Sequence, residues 1–275
     1  GFDLVRTDHY LSPNHARNLG LRRARTPWIV FIDNDVVVTP GWLPRLVACG
    51  DESGADIVSP LLCEGTPVHS IIHCAGGETG VRVEAHADGS PTRHIIEKIA
   101  RQGQRVSDVR GELKRAPTGL AEFHCMLVRA SVLERLGALD ERMLNTKEHV
   151  DLCMTVSAAG GAIYFEPTSV VTYVPGPPLA WSDMPFYMLR WSDAWEMASL
   201  KHLQKKWHLA EDTYFIRRYQ SVGGRRRVAI VRPLVRALRL GRFTPRAEGG
   251  LVRVDRVLNG YLTRRYARRH LDATG

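Results

Sequence analysis

The chain has 275 residues, with 38 Lys plus Arg against 29 Asp plus Glu, for a formal charge of +9. The charge is uneven: residues 217–275 hold 16 Arg, no Lys and only Glu248, Asp255 and Asp272 as acids, for +13, leaving −4 on residues 1–216. This split argues against a uniformly basic nucleic-acid binder, the 44% hydrophobic content argues against a disordered body, and no apolar run approaches the roughly 18 residues of a membrane span.

Asn14 to Arg25 reads as a helix, with Ala16, Leu19 and Ala24 on one face, stopped by Thr26-Pro27. Trp28 to Ile32 is a short apolar, β-branched and aromatic run, the pattern of a buried strand, expected to be parallel. It ends at Asp33-Asn34-Asp35. Pro40-Gly41 is a turn, Trp42 to Cys49 an amphipathic helix, and Asp56 to Pro60 a second strand. Residues 64–116 are rich in Gly, His, Arg and Glu with weak periodicity, and read as a partly exposed insert with short strands. A strand (Glu122–Arg129), a short helix closed by Gly137, and a helix from Glu148 to Ala159 follow. Ala162–Glu166 and Ser169–Tyr173 are strand-like, and Pro175, Pro177 and Pro178 then punctuate the chain. Residues 181–208 read as aromatic-rich helix, and the tail as two basic helices near 225–240 and 250–270. Alternating strands and helices predict an α/β fold with a mostly parallel sheet. The five cysteines, Cys49, Cys63, Cys74, Cys125 and Cys153, are scattered without a CxxC pair, which predicts reduced thiols in a cytoplasmic protein and no zinc knuckle.

The strongest chemical feature is the strand that ends in Asp33 and Asp35. Ligands of open α/β sheets bind beyond the carboxyl ends of strands. Two carboxylates two residues apart can there grip a hard divalent cation, which can bridge the phosphates of a nucleoside diphosphate. A solvated turn capped by Asp33 is the competing structural reading.

The order of motifs resembles glycosyltransferase family 2, of the GT-A fold: a helix carrying ARNLG (Ala16–Gly20), a strand ending in Asp-x-Asp, then Pro40-Gly41-Trp42-Leu43. Phe123 to Glu141, Glu148-His149-Val150-Asp151-Leu152, and Ala159 to Pro167 are similar to later segments of that family, so the likeness covers residues 5–175. It implies transfer of a sugar from a nucleotide-diphosphate sugar to an acceptor hydroxyl, with inversion. Asn18, Asp33, Asn34 and Asp35 would bind the donor, with Asp33 and Asp35 also holding Mn2+ or Mg2+. Glu148 or His149 would be the base, and Asp151 would orient neighbours or meet the acceptor.

Three departures stand against the pattern. His149 replaces the family's usual second acid, although histidine can serve as a base at neutral pH. Asn145, three residues before Glu148, offers an alternative capping role for that acid. Tyr173 stands where relatives supply a metal-binding histidine, while His124 reads as a core residue, and His69, His73 and His86 lack metal-ligand spacing. Nothing before Asn14 resembles the family's base-binding first half, so a fragment or a truncated, inactive relative is expected.

The expected organisation is a GT-A-like domain over 1–180, an aromatic-rich helical segment over 181–216 and a basic helical extension over 217–275. In 225–240, Ile230, Leu234 and Leu238 fall on one helix side, with Arg232, Arg236 and Arg239 near the other. Basic amphipathic helices suit an anionic membrane surface. The expected partners are therefore a nucleotide-sugar, a glycan or lipid-linked acceptor of the cell envelope, and the cytoplasmic membrane face, with nucleic acid disfavoured. The alternative is a degenerate, non-catalytic GT-A domain that binds or scaffolds.

Overall fold

The computed structural model describes residues 2–176, 179–238 and 244–270. In chain order the elements begin with α1 (Pro13–Leu21), β1 (Trp28–Ile32), β2 (Val36–Val38), α2 (Trp42–Ser53) and β3 (Ile57–Glu64). Next come β4 (Ile71–Cys74), β5 (Gly77–Ala85), β6 (Pro91–Ile99), α3 (Val106–Val109), β7 (Ala116–Pro117) and β8 (Cys125–Arg129). After α4 (Ala130–Leu136), α5 (Glu148–Ala158) and β9 (Ile163–Tyr173) the chain is helical. This part holds α6 (Met184–Arg190), α7 (Asp193–Lys206), α8 (Thr213–Ser221), α9 (Gly224–Arg226), α10 (Arg232–Ala237) and α11 (Thr244–His270).

The α/β class holds: a seven-stranded sheet in the order β1-β8-β3-β9-β2, with β4 on β3 and β7 on β9, is flanked by helices. The mostly parallel expectation does not. Among the described pairs only β3 and β9 are parallel. β8 runs antiparallel to both β1 and β3, and β2 is antiparallel to β9. Strands β1, β3 and β9 therefore share one direction, and β8 is wedged between two of them in reverse. Alternation of strand and helix cannot reveal such a reversal, because an apolar run reads the same in either direction. The two strand-like pieces before Tyr173 are one strand, β9, carrying a register shift opposite Pro60 and Leu61. Proline at a bulge fits, because it has no N–H to give the ladder.

The core lies on both faces of this sheet. Leu46, Val58, Leu127, Val150 and Val171 pack on one side, and Ile57, Met126, Val128, Val132 and Val156 on the other. β3 is buried along seven of its eight residues, which explains why it reads as a continuous apolar run rather than an alternating one. All five cysteines are buried and free.

The insert is more ordered than expected. β5 and β6 form a nine-residue hairpin, and the C-terminal helices clasp it. Arg93 Nε donates to the Trp207 carbonyl at 3.0 Å, and His94 Nδ1 lies 2.7 Å from Asp212. Glu97 in β6, whose side chain is 8% exposed, accepts from Lys147 at 2.7 Å, from Arg218 at 3.0 Å and from the Tyr214 hydroxyl. Burial alone would raise the Glu97 pKa, but Lys147, the Tyr214 hydroxyl and nearby His149 outweigh it and hold the carboxyl below its ordinary range.

In the tail, Val231 and Val235 are buried, while Leu234 and Leu238, on the side expected to be apolar, are exposed. Residues 227–231 form a π-turn, whose extra residue rotates everything beyond it relative to a regular helix. Arg226, at the start of this stretch, is fully buried: it bonds Asp255 at 2.9 Å, Asp193 at 2.7 Å and the Trp191 carbonyl. Pro177, Pro178, Arg239 and Leu240 lie outside the described residues.

Candidate active site

Asp33 and Asp35 cross the end of the sheet where the co-directional strands β1, β3 and β9 finish. The backbone anchors them to different strands. Asp33 N–H donates to the His124 carbonyl at 3.1 Å, and the Asp35 carbonyl accepts from Val174 N–H at 2.9 Å. Asn34, between them, is exposed. The Asp33 Oδ2 lies 2.9 Å from His124 Nδ1, and its Oδ1 lies 3.9 Å from Arg17. Burial, and then the charge of Asp33, push the Asp35 carboxyl above its ordinary pKa. Its Oδ1 is buried with no hydrogen-bond partner among the described residues.

His124 is not a core residue. Its ring stacks on Tyr173 at 4.6 Å, so a residue just before β8 brings an imidazole beside the position whose own side chain is a phenol. His73, on β4, joins it: Nδ1 lies 2.7 Å from Glu64 and Nε2 2.9 Å from Glu122. Contact with Glu122, opposed by burial and helped by Glu64, pushes the His73 pKa up to about 9. Burial would raise Glu122, but His73 and the nearby imidazoles hold it down at about 2.

α5 brings the second group. Its N-cap is Lys147, in a left-handed conformation (φ 68°), rather than Asn145. Glu148 is therefore the first residue of the helix and makes no capping box. The buried Asn145 instead takes Arg190, whose guanidinium donates to its carbonyl at 2.7 Å. Glu148 is buried, its Oε1 has no hydrogen-bond partner among the described residues, and Arg190 is 3.8 Å away. His149 Nε2 lies 3.9 Å from Glu122 Oε1, and burial holds its pKa below the usual value, so the ring is neutral at pH 7.

Two expected site residues are committed elsewhere. Asn18 is 1% exposed, and its amide is consumed by the Leu139 carbonyl, Glu141 and the Leu139 N–H, all at 2.9–3.0 Å. With Asn14, bonded to the Asp140 carbonyl, it makes the buried face of α1. Ala16 is exposed, so α1 docks by amides rather than by the apolar face its sequence predicts. The reason is the partner: the 139–141 loop offers backbone polar groups that must be paired. Each polar side-chain atom of Asn18 thus has a partner within the protein. Asp151 accepts from Lys206 at 2.7 Å and from Trp207 Nε1 at 2.9 Å, which fastens α5 to the end of α7. Both of its carboxylate oxygens thus accept a hydrogen bond within the protein.

Sequence reasoning missed Arg17, Arg190, His73, Glu122 and the role of His124. Arg17 adjoins Asn18 in the ARNLG string and stacks 3.9 Å over the Phe123 ring. Burial lowers its pKa, while Glu148 and Asp33 oppose that shift, so one guanidinium serves both acid groups. Glu148 and Asp151 also border a cavity of about 240 Å³ with Asn14, Asp140 and Lys206. A larger cleft of about 530 Å³, between Thr7–Tyr10 and the end of α11, is lined by none of these acids. Chemically, the acid-rich end of the sheet can bind a cation, counter anionic charge through Arg17 and Arg190, and accept a proton at Glu148 or His149.

Comparisons with known proteins agree with the motif order. Residues 2–62 match the sequence profile described as "Glycosyl transferase family 2". Pre-mycofactocin glycosyltransferases of two Mycobacterium tuberculosis strains, CDC 1551 / Oshkosh and ATCC 25618 / H37Rv, are 27% identical over 172 residues, 62% of this chain. The chain spans about a third (32%) of the length of these curated relatives. Among solved structures, GalNAc-T7 with UDP, GalNAc and Mn2+ aligns with a TM-score of 0.44 and 14% identity, over 81% of this chain and 47% of that one. TarS 1–349 of S. aureus in complex with UDP aligns with a TM-score of 0.34 and 13% identity, over 94% and 72% respectively. Over residues 2–62 the chain resembles glycosyltransferase family 2, and over 172 residues it resembles the pre-mycofactocin glycosyltransferases.

Proposed function

We propose that the protein transfers a sugar from a nucleotide-diphosphate donor to an acceptor hydroxyl, with inversion at the anomeric carbon. The observation that carries this reading is the set of orphaned oxygens at one end of the sheet. Among the described residues, Asp35 Oδ1 and Glu148 Oε1 are buried carboxylate oxygens without a hydrogen bond. Buried charged oxygens left unpaired are costly unless a ligand completes them.

Asp35, with Asp33 beside it, fits a hard divalent cation such as Mn2+ or Mg2+ by its oxygen donors and its unpaired Oδ1. Such an ion, when bound, offsets the charge of the departing diphosphate. Asn34 is exposed between the two acids, beside the donor. Arg17 and Arg190 add fixed positive charge between Asp33 and Glu148. The acceptor oxygen forms a bond to the anomeric carbon as the carbon–phosphate-oxygen bond breaks, its electron pair leaving with the diphosphate. Glu148 or the neutral His149 takes the hydroxyl proton from the face opposite the leaving group.

The test is turnover of UDP- and GDP-sugars by the wild type and by Glu148→Gln and His149→Gln, with far-UV circular dichroism to confirm folding. Loss of the base is expected to lower turnover about 10²- to 10⁴-fold in one variant and much less in the other. Absence of turnover in the wild type would make the chain a non-catalytic, ligand-binding relative, and turnover unchanged in both folded variants would remove Glu148 and His149 as the base.

The acceptor is proposed to be a glycan or lipid-linked group of the cell envelope, met at an anionic membrane face. Supporting this, α10 with the residue after it and α11 expose Leu234, Leu238, Val254, Val257 and Tyr261, and Arg236, Arg253, Arg264 and Arg268 are exposed in the same helices. No helix among the described residues is long and apolar enough to cross a membrane, so contact is expected to be peripheral. Sedimentation with vesicles containing phosphatidylserine checks it. Triple reversal of Arg236, Arg253 and Arg264 to Glu is expected to weaken binding by at least about 10²-fold, at about 1 kcal/mol per lost cation. Equal binding to neutral and anionic vesicles would refute the membrane reading.

A further inference from the structure

His73, Glu122 and His124 each present one ligand-type atom within 4.8 Å of the others. They come from β4 and from the segment that enters β8, so two strands of one sheet hold them. The arrangement behind them is specific. His73 Nδ1 is backed by Glu64 at 2.7 Å, and His124 Nδ1 by Asp33 at 2.9 Å. A carboxylate on Nδ1 orients the ring so that Nε2 can act as a ligand once a metal displaces its proton, the arrangement found behind metal-bound histidines. Glu122 supplies the third donor. It is 7% exposed, and its Oε2 accepts no hydrogen bond among the described residues although His73 Nε2 is 2.9 Å away. The contact is close but out of hydrogen-bond alignment. His149 Nε2, 3.9 Å from Glu122 Oε1, closes the remaining side.

We propose that His73, Glu122 and His124 form a binding site for a divalent transition-metal ion of the Zn2+ type, distinct from the Asp33–Asp35 carboxylate pair. Two imidazoles and one carboxylate match the donor set of open, three-ligand zinc sites and do not suit Mg2+. Bond lengths of about 2.0–2.2 Å to one ion require only small side-chain rotations from the present separations. Charge points the same way. Glu64, Glu122, Asp33 and Asp35 crowd this end of the sheet, and a dication offsets two of them. The site also fixes the direction of Asp33: with Oδ2 turned toward His124, Asp35 is the freer carboxylate for any donor-bound cation.

This site stands or falls independently of sugar transfer, because binding itself is read. The protein is stripped with a chelator and titrated with Co2+, whose visible d–d absorption reports a low-coordinate nitrogen–oxygen site. The expected result is one equivalent of Co2+, displaced by Zn2+ and not by excess Mg2+. His73→Ala and Glu122→Gln should each abolish the band. Glu64→Gln, at a half-exposed position that does not threaten the fold, should weaken binding about 10- to 100-fold. Asp35→Asn should retain the band. Absence of binding in the wild type overturns the proposal and leaves a protonated His73 bridging two carboxylates. Retention in folded His73→Ala, or loss in Asp35→Asn, overturns it in favour of the Asp pair.

Discussion

Asp35→Asn is expected to lower nucleotide-sugar turnover by about 10²- to 10³-fold, the size of loss typical for one preorganised electrostatic group, while leaving the protein at least as stable. The two halves of this expectation have one cause. Burial and the neighbouring Asp33 raise the Asp35 pKa in the folded chain. An acid with a raised folded pKa is harder to ionise folded than unfolded, so above that pKa its charge works against folding. Asparagine removes the charge and keeps the shape. Melting temperature should hold or rise with the substitution, and the difference between wild type and variant should shrink as pH falls and Asp35 protonates. A residue kept at a cost to stability is one retained for binding. Turnover equal to wild type in Asp35→Asn would remove Asp35 from the donor site.

Arg226→Ala is expected to be the most destabilising single substitution in the tail, at about 3–5 kcal/mol in urea unfolding. The guanidinium is fully buried against Asp193, Asp255 and the Trp191 carbonyl. Burial would lower its pKa, but the two carboxylates more than compensate and raise it. Truncation strands both acids, and the Asp255 side chain is only 10% exposed. The double variant Arg226→Leu with Asp255→Leu should recover part of the loss, since apolar replacement of a buried pair is often near neutral. A cost below about 1 kcal/mol for Arg226→Ala would show that water reaches this cluster.

The legible parts of the site are those written in short windows of sequence. Asp33 and Asp35 follow an apolar strand directly, and Glu148 and His149 open a helix, so each pair is announced by its neighbours. His73, Glu122 and His124 meet only through strand pairing. β4 folds back on β3 and β8 enters the sheet in reverse, and neither event leaves a periodic signal. The same reversal accounts for the sheet direction that sequence alone misassigns. Asn18 sits in a motif that is readable, yet its partner is the backbone of residue 139, which no spacing rule identifies. In the tail, Arg226 looks like one more solvated charge in an arginine run. It is buried because acids from two other helices converge on it.

The tail is also bound to the body by more than Arg226. Asn259, 1% exposed, bonds the Asp193 N–H and the Met188 carbonyl, and the Tyr266 hydroxyl reaches the Tyr10 carbonyl. Residues 217–275 are therefore not a detachable module. Cutting them away would uncover Met188 and Leu189 and strip polar partners from the start of α7, so a truncated protein would report a damaged fold rather than a missing membrane contact. The charge of this region can be dissected only in place, by substituting exposed arginines within the whole chain.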